Sequence, residues 1–218
     1  MRRTTSVRVE TVAVGVPRTV PWNGRQVRTS IFKFPVSGPV AIRRHNLEGD
    51  RQADPSVHGG EYKAVYAYSS ENYDWWREAL GRDLEPANFG ENLTIRGLDE
   101  ARVAIGDVFR VGESELEAVA PRLPCRKLGL RFGDPHMVRR FAGARRFGIY
   151  FRVVKEGIVR AGDSAERIHA DPEGSTVYDL ARVFLFDRDD RAAIRRLAGH
   201  PRIDPVTRSE LTERLVDR

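Results

Sequence analysis

Short runs in which apolar and polar residues alternate, separated by turn residues, fill the chain from residue 7 to residue 154. Residues 7–16 and 27–34 alternate in this way and are rich in β-branched side chains, which is typical of half-buried strands. Gly106-Asp107 and Gly112-Glu113 separate further short runs. Strands so short and so closely spaced predict a mainly β fold, either a β-barrel or a strongly bent sheet. The other predicted strands are residues 40–42, 64–68, 93–95, 101–105, 108–111, 116–119 and 147–154.

Helical patterns replace the strand pattern after Gly174. Thr176 followed by Asp179 resembles a capping box, and apolar residues from Val177 to Phe184 share one face of the helix that begins there. Each C-terminal helix is too short to be stable alone, so these helices are expected to pack together or onto the β domain. The other predicted helices are residues 72–80 with Ser70 as N-cap, 135–141, 187–197 and 204–216.

The only cysteine of the chain, Cys125, follows Pro121 and Pro124 and precedes Arg126 and Lys127. The prolines restrict the backbone that leads to the thiol, and the positive neighbours favour the thiolate, which is the form that binds metals or attacks electrophiles. A lone cysteine is more often a small buried apolar residue, so this reading depends on its surroundings. One cysteine forms no intramolecular disulfide and suits a reducing compartment, which predicts the cytoplasm.

The length of 218 residues is enough for one large domain and a small appendage. We expect a β domain over residues 1–172 and a three-helix domain over residues 173–218. The net charge of +6 and the isoelectric point near 9.8 suit an anionic partner, such as nucleic acid, a phosphorylated cofactor or an acidic electron-transfer protein. Arginines mixed with acids, as at residues 187–196, are equally typical of a solvated helix face. Eighteen apolar residues never run together, so no membrane span is expected.

Three loops carry polar groups where strands begin or end: His58-Gly59-Gly60, Phe89-Gly90-Glu91-Asn92 and residues 121–127. Paired glycines let a backbone approach a ligand closely, and a polar pair at the start of a strand can face a ligand. Each loop alone is a weak signal, because each is also typical of an ordinary turn. Their functional meaning therefore depends on their combination.

In this order and spacing, the three loops resemble the MOSC family, the molybdenum cofactor sulfurase C-terminal domain, and in particular its small bacterial, YiiM-like branch. The resemblance runs from about residue 30 to the C-terminus, and the combination of motifs is specific. The terminal helices look like the three-helix appendage of that branch. The segments that carry the resemblance are residues 30–40, 57–60, 63–66, 90–93, 106–107 and 121–125.

The resemblance implies a MOSC-type β-barrel that binds molybdopterin, with Cys125 as the molybdenum ligand. A soft thiolate suits a metal that pterin sulfurs already hold, so the protein needs to add one ligand. Cys125 and His58 are the implied catalytic residues, with His58 as a cofactor contact or proton donor. Cationic side chains and glycine amides would bind the anionic pterin phosphate. The implied cofactor-binding residues are Ser30, Lys33, His58, Gly59, Gly60, Lys63, Gly90, Glu91, Asn92, Arg122 and Lys127.

The implied reaction is the two-electron reduction of an N-hydroxylated base, or a related N-oxygenated compound, to the amine with loss of water. The sequence has no Gly-x-Gly-x-x-Gly dinucleotide fingerprint and no group of cysteines for an iron–sulfur cluster. The electrons would therefore come from a separate flavin or iron–sulfur reductase.

Three other functions remain open from the sequence. A nucleic-acid-binding protein would fit the high isoelectric point and the three small helices, but the arginines of those helices alternate with acids instead of forming a basic stripe. A cofactor-free thiol enzyme could use Cys125 with His58. A MOSC protein could also carry or sense the molybdenum cofactor without turnover. The physiological substrate, the electron donor, the oligomeric state and the role of the terminal helices stay undetermined at this level.

Overall fold

The computed structural model describes residues 7–54 and 59–216. These residues form thirteen strands, six α-helices and two short 3-10 helices, Glu61–Lys63 and Glu100–Arg102. The strands are β1 (Arg8–Val14), β2 (Arg18–Trp22), β3 (Arg25–Thr29), β4 (Phe34–Pro35), β5 (Val40–Arg43), β6 (Asn46–Leu47), β7 (Val65–Ser69), β8 (Leu93–Arg96), β9 (Val108–Val111), β10 (Ser114–Pro121), β11 (Ile149–Lys155), β12 (Gly157–Val159) and β13 (Ala165–His169). The helices are α1 (Ser70–Leu80), α2 (Lys127–Phe132), α3 (Met137–Ala144), α4 (Val177–Leu185), α5 (Arg191–Gly199) and α6 (Pro205–Val216).

An eight-stranded sheet with the order β13-β9-β10-β11-β7-β8-β1-β4 is the centre of the fold. All its neighbours pair antiparallel except β7 and β8, which are parallel because α1 connects them. A three-stranded sheet, β12-β5-β6, and the hairpin of β2 and β3 lie outside it. The strands in the middle of this sheet, including β7 and β11, therefore have hydrogen-bonded neighbours on both sides.

The large sheet curves so strongly that the start of β1 meets the segment that leads into the edge strand β13. Val9 donates its N–H to the carbonyl of Asp163 at 2.9 Å, and Gly162 donates to the carbonyl of Val9 at 2.9 Å. Only an isolated bridge joins the two regions, and β4 and β13 remain edges among the described strands. The fold is therefore a sheet-rich structure with helices, and a closed barrel is not formed by its strand ladders.

Three local predictions were wrong. Residues 27–34 do not form one strand, since β3 ends at Thr29, whose hydroxyl accepts the N–H of Ile31 at 3.1 Å. Residues 101–105 are not a strand, because Asp99 caps a 3-10 helix there and Asp107 accepts the N–H of Ala104 at 3.0 Å. Ser69, not Ser70, caps α1. The hairpin partner β2 and the short helix α2 were not predicted, while β9 has the predicted bounds.

Three C-terminal helices form and share a core with the sheet, although α5 begins at Arg191 after its cap Asp190, four residues later than predicted. Thr176 and Asp179 make the predicted capping box at the start of α4. The apolar cluster inside the sheet continues without a break to Leu180 of α4, Leu197 of α5 and Leu211 of α6. The domain boundary between residues 172 and 173 stays a prediction. None of the helices among residues 7–54 and 59–216 has the length and apolar character needed to cross a membrane.

A second, aromatic cluster packs α1, α2 and α3 against one face of β7. Its centre is Tyr68, whose ring contacts Phe89 and Tyr73 and whose hydroxyl accepts a hydrogen bond from the indole of Trp76 at 2.8 Å. Tyr68 in turn donates to the carbonyl of Arg146 at 2.9 Å. This network fixes the loop before β11 against β7.

Gly148 is where this loop comes closest to β7. Its φ is +71°, and a Cβ added there would lie 2.6 Å from the carbonyl oxygen of Ala67 and 2.7 Å from the rings of Tyr66 and Tyr68. Only glycine meets both the left-handed backbone and the lack of space.

Replacing Gly148 with alanine should lower the free energy of unfolding by about 2 to 5 kcal/mol, because backbone strain and overpacking act together. Gly143→Ala is the matched control, since a Cβ at that position in α3 meets nothing within 4 Å. The control should raise the free energy of unfolding by up to about 1 kcal/mol. Urea titration followed by tryptophan fluorescence measures both. Equal stability of the two variants would contradict the close approach of β11 and β7.

Glu100 holds the same loop from the other side. Its carboxylate accepts the N–H of Gly148 and the side-chain amide of Asn72, the latter at 3.2 Å. Burial raises the pKa of Glu100 from 4.5 to about 7, although the hydrogen bonds from Gly148 and Asn72 act in the opposite direction. Between these two pH values the folded protein keeps a proton that the unfolded chain has lost, so stability falls as the pH rises.

The Glu100→Gln variant should lose this dependence, because the amide cannot ionise. Between pH 4.5 and 7.5, wild type should lose about 2 to 3 kcal/mol of unfolding free energy relative to the variant. Glu78→Gln, on the exposed face of α1, is the control and should follow wild type. Urea titrations at four pH values over this range measure the difference. A constant difference between wild type and Glu100→Gln would contradict the raised pKa.

Candidate active site

Cys125 lies on the wall of a small pocket, with a cavity volume of about 80 Å³, that opens to solvent. The segment after β3, the turn before β8, the facing tyrosines of β7 and β11, and the loop between β10 and α2 form the wall. The thiol is half-buried and free. The predicted site residues that this pocket brings together are Ser30, Lys33, Lys63, Gly90, Asn92, Arg122, Cys125 and Lys127.

Arg122 is the charged group beside the sulfur. Its Nη2 lies 3.9 Å from Sγ of Cys125, and its guanidinium lies 5.5 Å from the ring centre of Tyr66 and 5.7 Å from that of Phe141. Burial opposes the charge of Arg122, but its electrostatic surroundings, with Cys125 first among them, outweigh burial and raise the pKa of the guanidinium. Nη1 of Arg122 is buried and has no hydrogen-bond partner among the described residues.

Tyr66 and Tyr150 form the wall beside Arg122, and sequence reasoning missed both. They face each other across the β7–β11 ladder with ring centres 5.3 Å apart. Burial raises the pKa of both hydroxyls, although Arg122 acts in the opposite direction. Both hydroxyls therefore keep their protons at neutral pH. Two tyrosines in apolar strands were visible in the sequence, but the register that pairs them was not.

A buried ion pair between Lys33 and Asp50 forms the opposite wall. Asp50 also accepts the N–H of Gly15 at 2.8 Å. Burial lowers the pKa of Lys33, and Asp50 offsets part of this effect. Asp50 was missed because the polar segment that contains it reads as an ordinary loop. The charge of Lys33 is thus largely balanced inside the protein, whereas that of Arg122 is not.

The predicted motif Gly90-Glu91-Asn92 shapes the pocket mainly through its backbone. Gly90 has a φ of +81°, and an added Cβ would meet the side chain of Ile31 at 2.9 Å. Asn92 lines the pocket, accepts the N–H of Tyr66 at 3.1 Å and donates to the carbonyl of Ala13 at 3.3 Å.

Glu91 lies behind the pocket wall. Its fully buried carboxylate accepts hydrogen bonds from the hydroxyl of Tyr73, from the hydroxyl of Thr94 at 3.1 Å and from the N–H of Phe89 at 3.2 Å. Burial raises the pKa of Glu91, and the hydrogen bonds from Tyr73 and Thr94 act against it. Within the structure, Glu91 holds the turn in place and does not line the pocket.

A second cavity reaches Cys125 from the other side. It is lined by Gly59 and Gly60, two of the predicted binding residues, and by side chains of the C-terminal helices. Lys63, Arg122 and Cys125 contribute to both cavities. His58, the predicted proton donor, lies outside the described residues.

These features define a class of protein in which a curved sheet presents one accessible thiol, beside a buried arginine, to a ligand pocket. The chain belongs to the MOSC family, because the family model for the MOSC domain matches residues 54–166. The matched residues include the His58-Gly59-Gly60 segment, the Gly90-Glu91-Asn92 turn and Cys125.

Individual relatives agree with this assignment. The chain is 38% identical over 201 residues to uncharacterized protein YflK of Bacillus subtilis, covering 92% of this chain and 91% of the relative. It is 35% identical over 178 residues to protein YiiM of Escherichia coli, covering 78% and 79%. A protein named reductase from Gibberella moniliformis is 31% identical over 164 residues, which cover 73% of this chain and 29% of that protein.

A solved structure shows the same fold. The crystal structure of YiiM from Geobacillus stearothermophilus is similar with a TM-score of 0.81 at 30% identity, covering 96% of this chain and 99% of that chain. The sheet-rich fold with its helices is thus shared over nearly the whole of both chains.

Replacing Lys33 with methionine should lower the free energy of unfolding of the metal-free protein by about 3 to 5 kcal/mol, because Asp50 would stay buried without its partner. Lys155→Met is the control, since Lys155 is exposed at the end of β11, and it should change stability by less than about 0.5 kcal/mol. Lys33→Met combined with Asp50→Asn should recover part of the loss. Urea titration measures all three, and a loss no larger than the control's would rule out the buried pair.

Proposed function

We propose that this protein reduces N-hydroxylated compounds, such as hydroxylaminopurines, to amines with a molybdopterin cofactor whose molybdenum is bound by Cys125. The observation that carries the proposal is the position of the sulfur. Cys125 is accessible, lies beside the buried cation of Arg122, and lines both cavities. The pocket around Arg122 would receive the cofactor at this sulfur, and the second cavity would admit a substrate to the same side chain.

The residues of the first cavity fit the molybdenum cofactor. Nη1 of Arg122 and Oγ of Ser30 are buried polar atoms without partners among the described residues, and both side chains line this cavity. A buried donor without a partner costs about 1 to 3 kcal/mol, which a bound oxygen or phosphate would offset. Lys63 and Lys127 add positive charge at the same wall. Cys125 offers the soft sulfur that a dithiolene-bound metal accepts as a further ligand.

When bound, the cofactor would supply the two-electron redox chemistry and accept the oxygen of the substrate. The protein would hold the cofactor and orient the N–O group of the substrate at the sulfur side of the cavity. Overall, R–NH–OH, two electrons and two protons give R–NH₂ and water. Tyr150 lines both cavities, and since burial raises the pKa of its hydroxyl, that group stays protonated and could donate to the departing oxygen.

The electrons would come from a separate flavin or iron–sulfur reductase. The Gibberella relative is named a reductase, and the matching region makes up 29% of that protein. Its name supports an oxidoreductase role for this kind of domain. MOSC family membership supports the association with the molybdenum cofactor. The choice of N-hydroxylated bases as substrates rests on the resemblance to the YiiM-like branch.

Purified from a molybdenum-replete host, wild type should contain molybdenum and release a fluorescent oxidised pterin, whereas Cys125→Ala should lose most of its molybdenum. Reduction of hydroxylaminopurine with reduced methyl viologen as artificial donor should fall at least about 100-fold in the variant, because the metal loses its protein ligand. Elemental analysis, pterin fluorescence and chromatographic detection of the amine are the measurements.

The unfolding free energy of Cys125→Ala should stay within about 1 kcal/mol of wild type, since the thiol is half-buried, so a loss of metal would not reflect unfolding. Equal molybdenum in both proteins would exclude Cys125 as the ligand. Bound molybdenum without any amine formation would instead indicate a carrier or sensor of the cofactor.

A further inference from the structure

The second cavity has a different character from the first. Its cavity volume is about 510 Å³, and its far wall comes from α4 and α6. Its boundary with the first cavity includes Cys125, Arg122 and Tyr150. A molecule in the second cavity therefore reaches the sulfur from the side of the C-terminal helices.

Apolar and aromatic side chains cover this far wall. Phe184 and Leu180 come from α4, Val206 from α6, and Leu123 from the cysteine loop, with Tyr62 on the opposite side. Leu123 and Val206 are 36% and 77% exposed and lie together with Phe184 and Leu180 in the lining of one cavity. No ring contact occupies Tyr62 among the described residues, so its face is available to a planar ligand.

Carboxylates border the apolar wall on α6. Asp204 accepts the N–H groups of Val206 at 3.1 Å and Thr207 at 3.0 Å, which fixes its carboxylate at the start of the helix. Glu210 lies one turn after Val206 on the same face, is exposed, and makes no ion pair among the described residues. Glu61 also lines this cavity, so among its described lining residues three carboxylates outnumber the two cations, Lys63 and Arg122, that it shares with the first cavity.

We propose that the second cavity is the substrate chamber, and that α6 makes it selective for uncharged, planar N-hydroxylated bases over the corresponding nucleotides. This inference rests on the proposed function and adds to it the substrate form and a role for the C-terminal helices. The base stacks against the aromatic wall with its N–O group towards Cys125. A phosphate at the entrance would meet Asp204 and Glu210.

Two variants of α6 test the chamber, each with a matched control on the same helix. Val206→Trp fills the cavity, whereas Val216→Trp changes another exposed valine at the far end of α6. Glu210→Lys reverses a charge at the entrance, whereas Glu213→Lys reverses one that lies outside the chamber. Molybdenum content should equal wild type in all four variants, because none of these residues lines the first cavity.

Hydroxylaminopurine and its ribonucleoside 5′-monophosphate are the two substrates, and the affinity for adenine, the product amine, is measured separately by calorimetry. Val206→Trp should raise KM for the base and weaken adenine binding at least about tenfold, with kcat within about twofold. Glu210→Lys should raise kcat/KM for the monophosphate relative to the base by about tenfold. Both controls should match wild type.

The outcomes separate the chamber from the reaction. If wild type reduces the base but Val206→Trp and Glu210→Lys behave like their controls, the assignment of the second cavity as the substrate chamber is wrong. The proposed function would still stand. If no reduction occurs but adenine binds and Val206→Trp weakens it, the proposed function is wrong and the chamber stands. If wild type neither binds adenine nor reduces the base, the chamber is overturned as well.

Discussion

A guanidinium held out of water beside a sulfur atom is the constraint around which the structure is arranged. Burying a charge costs several kcal/mol unless other groups compensate it. The faces of Tyr66 and Phe141 and the sulfur of Cys125 supply part of that compensation for Arg122, and among the described residues its Nη1 has no hydrogen-bond partner. The surroundings of Arg122 therefore fix its position beside the sulfur while leaving hydrogen-bonding capacity in the pocket.

Hydrogen bonds between side chains and the backbone position the groups around Arg122, because the site is assembled from segments far apart in the sequence. The side chain of Asn92 connects β1 to β7 through Ala13 and Tyr66. Glu100 accepts the N–H of Gly148 at the start of β11, where Tyr150 pairs with Tyr66. Asn92 also lines the pocket, so the same residue shapes the site and holds the strands together.

Positive charge is distributed in a way that the net charge of +6 does not reveal. In the C-terminal helices, Arg182 pairs with Asp187 and Asp190, and Arg208 and Arg214 donate to backbone carbonyls. These arginines hold the helices together and form no basic stripe for nucleic acid. Arg122, Lys63 and Lys127 line the pocket at Cys125. The net charge therefore includes arginines that are engaged within the C-terminal helices as well as cations at the pocket.

By itself, the sequence determined the strand-rich fold and the capped C-terminal helices and singled out Cys125 as a candidate, because turns, caps and a lone thiol are local signals. Only the tertiary structure decided that the sheet keeps two edges, that Glu91 lies behind the pocket, and that Asp50, Tyr66 and Tyr150 line it. It also created a second cavity against α6, far along the chain from Cys125. Strand register and helix docking depend on contacts between distant residues, which local patterns do not encode.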